Sequence, residues 1–167
     1  MKFRDILKEC DELYPNSFTD EEKMNFANDI GAMISRKYIK KVKTYTADGG
    51  DKFSLPAGVT YDTVVEIKFD GVLQTGISVA AVLENSSGHN VEVKYIDVPV
   101  YGIDDEVPLG KPHHNIYTYY VLAFICLHSG DTDCYNSNLM MYNTYLNEYE
   151  KSLSSFEVET IRYKNLW

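Results

Sequence analysis

Apolar positions at the start of the chain recur at steps of three and four. Phe3, Ile6, Leu7, Cys10, Leu13 and Tyr14 fall on one helical face, the spacing of an amphipathic helix laid on a core. Pro15-Asn16 ends that helix, because the residue before a proline is disfavoured in the α conformation. Thr19-Asp20-Glu21-Glu22 follows with the form of a capping box: the Thr19 hydroxyl accepts from the Glu22 N–H while the Glu22 carboxylate reaches back. Acids in that first turn also suit the helix dipole. Phe26, Ile30, Met33, Ile34 and Tyr38 continue as one stripe. Two short helices therefore meet at a tight corner.

The period changes in the middle of the chain. Val65, Ile67 and Phe69 alternate with Glu66, Lys68 and Asp70, the pattern of a half-buried strand. Asp70-Gly71 is a turn signal of unspecified loop length. Ile77, Val79 and Ala81 alternate again, and residues 85–88 break the run. Val91, Val93 and Tyr95 alternate, then Ile96, Val98 and Val100 continue in shifted phase, which predicts a bulge near Tyr95. With runs at 41–46 and 52–55, four to six short antiparallel strands are expected, as a small sheet, sandwich or open barrel.

Helical spacing returns after a loop containing Pro108, Gly110 and Pro112. Residues 116–129 are aromatic and apolar, Gly130 stands at a helix C′ position, and Asp131 or Thr132 is placed to cap the next helix. Tyr135, Leu139, Tyr142, Leu146 and Tyr149 form one seam on that helix. The pattern predicts an α+β fold in a single domain, residues 1–167. Residues 1–40 are helical, 41–107 a β insert, and 108–167 a helical hairpin and C-terminal tail. The expected architecture is a helical bundle built from the N-terminal and C-terminal helix pairs, with a small antiparallel sheet or sandwich inserted.

Charge narrows the function. The 167 residues carry 25 acids and 16 bases, a net −9. A tight nucleic-acid binder needs a cationic field, and docking to anionic membranes needs the same. The imbalance is local: residues 44–115 carry 4 bases and 11 acids, net −7. The first residues lack the apolar run of a signal peptide, and no stretch approaches a bilayer span. Cys10, Cys126 and Cys134 are odd in number and widely spaced, so a disulfide framework is not expected and a reducing compartment is. Seven of the 14 tyrosines lie between Tyr117 and Tyr149. That spacing suits core-facing rings with hydroxyls at the boundary, or a subunit interface.

Candidate chemistry is thin. His113-His114 could ligate a metal with Asp104, Asp105 or Glu106, but no third ligand sits at a diagnostic spacing, and an exposed polar loop accounts for the pair. Asp131-Thr132-Asp133 lacks the later ligands of a calcium loop and reads as a cap. Cys126 and His128 fall on different helical faces. Gly49-Gly50 has no Lys-Ser/Thr after it, so it is a turn rather than a phosphate cradle. No catalytic residue, metal or cofactor is assigned, and the chain is not expected to be an enzyme.

Two runs, Leu13-Tyr14-Pro15-Asn16-Ser17-Phe18-Thr19-Asp20-Glu21-Glu22-Lys23 at one helical end and Tyr117 through Leu146 at the other, resemble those of a family of small proteins from tailed phages and prophages of Gram-positive bacteria. The family's N-terminal run has the form L-x-P-N-x-F-S/T-D-E-x-K, followed by an aromatic position that is often Trp. Here it reads Leu13-Tyr14-Pro15-Asn16-Ser17-Phe18-Thr19-Asp20-Glu21-Glu22-Lys23, then Phe26 in place of the Trp. Gly31-Ala32 stands where an Asp-Gly pair is usual. The family's C-terminal run is matched by Tyr117, Tyr120-Val121-Leu122-Ala123, Ile125, Gly130-Asp131, Tyr135-Asn136, Met141-Tyr142-Asn143 and Leu146, with Tyr145 beside the expected aromatic position. The resemblance covers roughly 60 residues and leaves out the β insert.

It implies a structural virion protein of the neck. Such a head–tail connector, or adaptor, forms a homo-oligomeric ring under the portal and meets other neck or tail proteins. DNA would pass through without specific binding, no membrane would be involved, and assembly would occur in the bacterial host cytoplasm. A net −9 subunit repeated around a ring would repel the DNA backbone, which fits that role; the acidic β insert could face the lumen, the exterior or the next ring. The residues singled out are structural or interfacial: Pro15, Asn16, Phe18 and Thr19 at the corner, and Tyr117, Tyr120, Gly130, Tyr135, Asn136 and Asn143 on the hairpin. Asn136 and Asn143 are expected to hydrogen-bond across the helix pair. The alternative is a binding module whose β insert recognises carbohydrate or protein on a helical base.

Overall fold

The computed structural model describes residues 1–50, 52–75 and 78–164, with side chains through Ser154. The fold is α+β and divides into two compact units. One comprises Met1–Ile30 and the residues from Tyr101 onward; the other is Gly31–Val100.

In the first unit, α1 (Phe3–Leu13) buries Phe3, Ile6, Leu7 and Cys10, the face that the spacing predicts. Leu13 lies outside that core and is 55% exposed. The first donors of α1 are taken up by residues about a hundred positions further along the chain. Phe3 N donates to Asp105 O and Arg4 N to Ile103 O, while Val107 N donates to Met1 O. Helix ends need such partners, and here they tie the segment at 103–107 to the N-terminus. α2 (Asp20–Ile34) starts on the expected box: Glu22 N donates to Thr19 Oγ1, and Thr19 N donates to Glu22 Oε2 at 2.8 Å.

α4 (Asn115–His128) buries Ile116, Tyr117, Thr118, Val121, Leu122, Ala123, Ile125 and Cys126. A helix apolar on most sides belongs inside its unit. It ends in a Schellman motif. Gly130, at φ +77°, donates to Leu127 O, and Asp131 N donates to Cys126 O. Asp131 then caps α5 (Thr132–Lys164) through Cys134 N. The seam from Tyr135 to Tyr149 is the less exposed side of α5, with Tyr142 buried.

The second unit opens with the end of α2. The helix runs into a π-helical turn, Ser35–Ile39, closed by Lys40 in the left-handed region. Four strands follow: β1 (Val42–Ala47), β2 (Val64–Phe69), β3 (Val72–Leu73) and β4 (Val91–Ile96), with helix α3 (Val79–Glu84) between β3 and β4. They form one antiparallel sheet in the order β1-β4-β2-β3. Ile67, Phe69, Val91 and Val93 pack on one face with Phe53, Val82 and Leu83. Asp70 and Gly71, at φ +48° and +83°, form a two-residue hairpin between β2 and β3, the conformation for which Asp-Gly is suited.

Three expectations are corrected here. The alternating run around Val79 and Ala81 is helix, not strand: Ser78 caps it by accepting from Ala81 N, and Val79, Val82 and Leu83 are also spaced for a helix. Ile77 lies outside the described residues. Residues 52–55 form no strand; Phe53 is buried, its N–H donating to Ser86 Oγ at 2.8 Å. The irregularity expected near Tyr95 lies across from it, on β2. Val64 pairs with Tyr95 and Glu66 with Lys94, so Val65 is the extra residue and is 60% exposed.

Candidate interaction surfaces

The Pro15–Thr19 corner is held by its own polar groups. Asn16 Nδ2 donates to Asp11 Oδ1 and to Tyr14 O, and its Oδ1 accepts from Phe18 N. Such an Asx arrangement turns the chain where proline has stopped the helix. Pro15 and Thr19 are exposed, while Asn16 and Phe18 are half-buried.

Phe18 and Phe26 carry the corner onto the hairpin. Their rings lie 6.3 Å apart, Phe26 stacks on Phe124 at 5.7 Å, and both approach the His128 ring. Phe124 in turn meets Tyr120 and the edge of Tyr135. The corner motif and the hairpin motif thus share one aromatic cluster, in which offset and edge contacts add to simple burial.

The remaining hairpin residues sort by exposure. Tyr117 is fully buried, its ring edge-on to Phe3. Burial raises its pKa. Tyr120 and Tyr135 are half-buried, with Tyr120 against Tyr142. Asn136 and Asn143 are exposed, and neither bonds across the helix pair among the described residues. Asn138 approaches the seam instead: its Nδ2 donates to Cys134 O and lies 3.6 Å from Cys126 Sγ.

Cys126 and Cys134 are joined in a disulfide across the α4–α5 corner, contrary to the expectation of unpaired thiols. The hairpin was legible in the sequence, but not that its three-residue corner sets Cys126 against Cys134. Cys10 is free and buried, and burial pushes its thiol pKa up, which leaves it a core residue rather than a nucleophile.

The histidine pair is not joined to the acids proposed as co-ligands. The His113 ring packs 4.8 Å from Tyr149. Asp104 takes a two-pronged bond from Arg4, whose guanidinium holds that carboxyl below its ordinary range. Asp105 Oδ2 accepts from Gly102 N. Among the described residues no group of three or more His, Cys, Asp or Glu is placed to hold a metal.

Lys23 is the residue that sequence reading passes over. It is 3% exposed, and its ammonium bonds both Asp11 oxygens, at 3.0 and 2.7 Å, and Asp20 at 3.3 Å. Burial draws its pKa down, but the bonds to Asp11 and Asp20 outweigh that and leave it raised. The signal was available: Lys23, Ala27, Ile30 and Ile34 step by four, three and four, so a lysine stands in phase with buried positions. Asn28 is a second such residue. Its amide exchanges hydrogen bonds with the backbone of Tyr101, at 3.1 and 2.7 Å.

In the sheet unit, charge is largely compensated. Glu66, Lys68, Glu92 and Lys94 form a neutral quartet on one face, with three contacts between 2.9 and 3.4 Å. The bonds from Lys68 and Lys94 lower the Glu66 pKa. Arg36 pairs with Asp62, Lys43 with Asp97, and His89 with Asp70. The acidic composition of this segment therefore does not make an anionic sheet face. A cleft of about 480 Å³ lies beside the sheet, lined by Lys52, Phe53, Leu55, Tyr61, Leu83 and Glu84 among others.

Among the described residues, no helix is long and apolar enough to cross a membrane. The fold and these surfaces define the class no further than an α+β chain with a helical unit and a four-stranded sheet unit. Neither a protein-family model nor a curated sequence matches the chain.

Proposed function

We propose that the chain is a structural protein of a tailed-phage virion, a head–tail connector or adaptor that forms a homo-oligomeric ring under the portal. One observation supports this reading above the others. The two segments that resemble the connector family lie about a hundred residues apart, yet Phe18 and Phe26 from one meet Phe124 and His128 from the other. Two motifs that pack into one cluster behave as a single scaffold, and the tyrosines left half-exposed on the hairpin provide surface suited to protein contacts. On this reading the protein is not an enzyme, needs no cofactor, and resides in the virion neck.

The alternative binding-module reading draws on the cleft rimmed by Tyr61, which is 59% exposed. The test is reconstitution with the cognate portal ring, followed by co-sedimentation and negative-stain imaging. A ring of added density under the portal is the expected result. No association, together with a ligand-dependent rise in melting temperature on a glycan panel, would replace the connector by the binding module.

A further inference from the structure

The sheet of the second unit ends in two open edges, β1 and β3. Lys41 O accepts from Asp97 N, so in the β1–β4 register the odd-numbered residues of β1 bond inward. The N–H and C=O groups of Val42, Thr44 and Thr46 then point away from β4, and nothing pairs with them among the described residues. On the other edge Gln74 N donates to Ile67 O, so Leu73 is the β3 residue whose backbone points outward. An unprotected edge is a template for another strand.

The two edges match each other. Four antiparallel strands make β1 and β3 run in opposite directions, so β1 of one copy laid along β3 of the next continues an antiparallel ladder. The faces match as well: Leu73 lies on the side of Lys68, and Val42, Thr44 and Thr46 lie on the side of Glu92 and Lys94, which is one face of the sheet. Each edge also exposes two large apolar side chains: Val42 (51%) and Tyr45 (44%) on β1, Val72 (66%) and Leu73 (49%) on β3. Pairing β1 with a second β1 would bring together two edges that each carry Lys41 and Lys43, of which Lys43 is already paired with Asp97. Residues 72–75 are Val, Leu, Gln and Thr, so the β3 edge offers those lysines no like charge.

We propose that copies of this chain join edge to edge, β1 of one subunit pairing with β3 of the next. Because the two surfaces differ, the contact is heterologous, the kind that closes into a ring when the rotation permits. The inference rests on the ring reading above and names the surface that would build it.

The test uses the full chain carrying Thr44→Cys and Leu73→Cys, alone and with the portal ring, under mild oxidation. The expected result is a ladder of cross-linked dimers, trimers and higher species, with no ladder from either single cysteine variant. Dimers from Thr44→Cys alone would overturn the proposal in favour of β1–β1 pairing. Thr44→Pro removes an outward N–H without touching the β4 bonds, a placement that edge strands tolerate. With an unchanged circular dichroism spectrum it should lose the higher species. Wild-type assembly by Thr44→Pro, or no ladder in any sample, would also overturn the proposal. Co-sedimentation in the same samples separates the two readings. Portal binding without a ladder keeps the connector and removes this contact, whereas a ladder without portal binding does the reverse.

Discussion

Single side chains at the corner do separable work. Thr19 donates to and accepts from Glu22, so Thr19→Ala should cost about 1 kcal/mol in urea unfolding, the usual loss for an N-cap. The Glu22 carboxyl is held below its ordinary 4.5 by the Thr19 backbone N–H and hydroxyl. A depressed carboxyl stabilises the fold above its unfolded pKa and loses that contribution as pH falls through the folded one. The stability gap between wild type and Glu22→Ala should therefore be constant near neutrality and close as pH drops below 4.5; a gap unchanged down to pH 3 would remove the carboxylate from the cap. Lys23 differs because it is buried while its partner Asp11 is 44% exposed. Lys23→Ala should cost about 2 kcal/mol, below the range for breaking a fully buried pair. The lysine pKa is raised from 10.5, so its contribution persists through neutral pH and disappears only as pH rises through the raised value.

Between elements, exposure separates rings that look alike in sequence. Tyr142 is 9% exposed and packs edge-on against Tyr120, whereas Tyr135 is half-buried and touches Phe124 by its edge. Thermal or denaturant unfolding should place Tyr142→Ala at a loss of about 3–5 kcal/mol and Tyr135→Ala at about 1–2 kcal/mol. Equal losses would mean that Tyr135 is a core residue after all. If Tyr135→Ala leaves the fold nearly intact and abolishes assembly on the portal, the ring is an interface residue. The helix pair was legible in sequence because its seam repeats every three or four residues and both caps are local. The partnership of Asn138 with the seam, in place of Asn136 and Asn143, was not. A shift of two or five positions turns a helical side chain to another face, and only the packed hairpin shows which face is covered.

Over the whole chain, net charge is a weaker guide than its placement. The chain is −9, yet the sheet carries a balanced quartet and several of its acids are already paired. The excess negative charge is still enough to oppose phosphate binding. In a filter-retention assay at physiological salt the protein should hold no duplex DNA. Retention that weakens steeply with added salt would point to a cationic surface and count against a passive DNA channel.

Sequence alone determined what depends on neighbours a few residues apart. The two helical ends, the Thr19–Glu22 box, the Gly130 stop, the Asp70-Gly71 turn and the inward faces of Ile67, Phe69, Val91 and Val93 were all readable from period and capping chemistry. Tertiary structure decided the rest. It made residues 79–84 a helix, placed the extra residue at Val65 rather than beside Tyr95, buried Lys23 against Asp11, joined Cys126 to Cys134, and ordered the strands so that β1 and β3 are the open edges. Each of these turns on how packed elements place groups that period and capping leave unassigned. Cys126 and Cys134 are 8 residues apart and Lys23 and Asp11 are 12, each pair meeting only because a turn between two helices brings them together, and a short apolar run satisfies helix and strand spacing equally until a partner surface selects one.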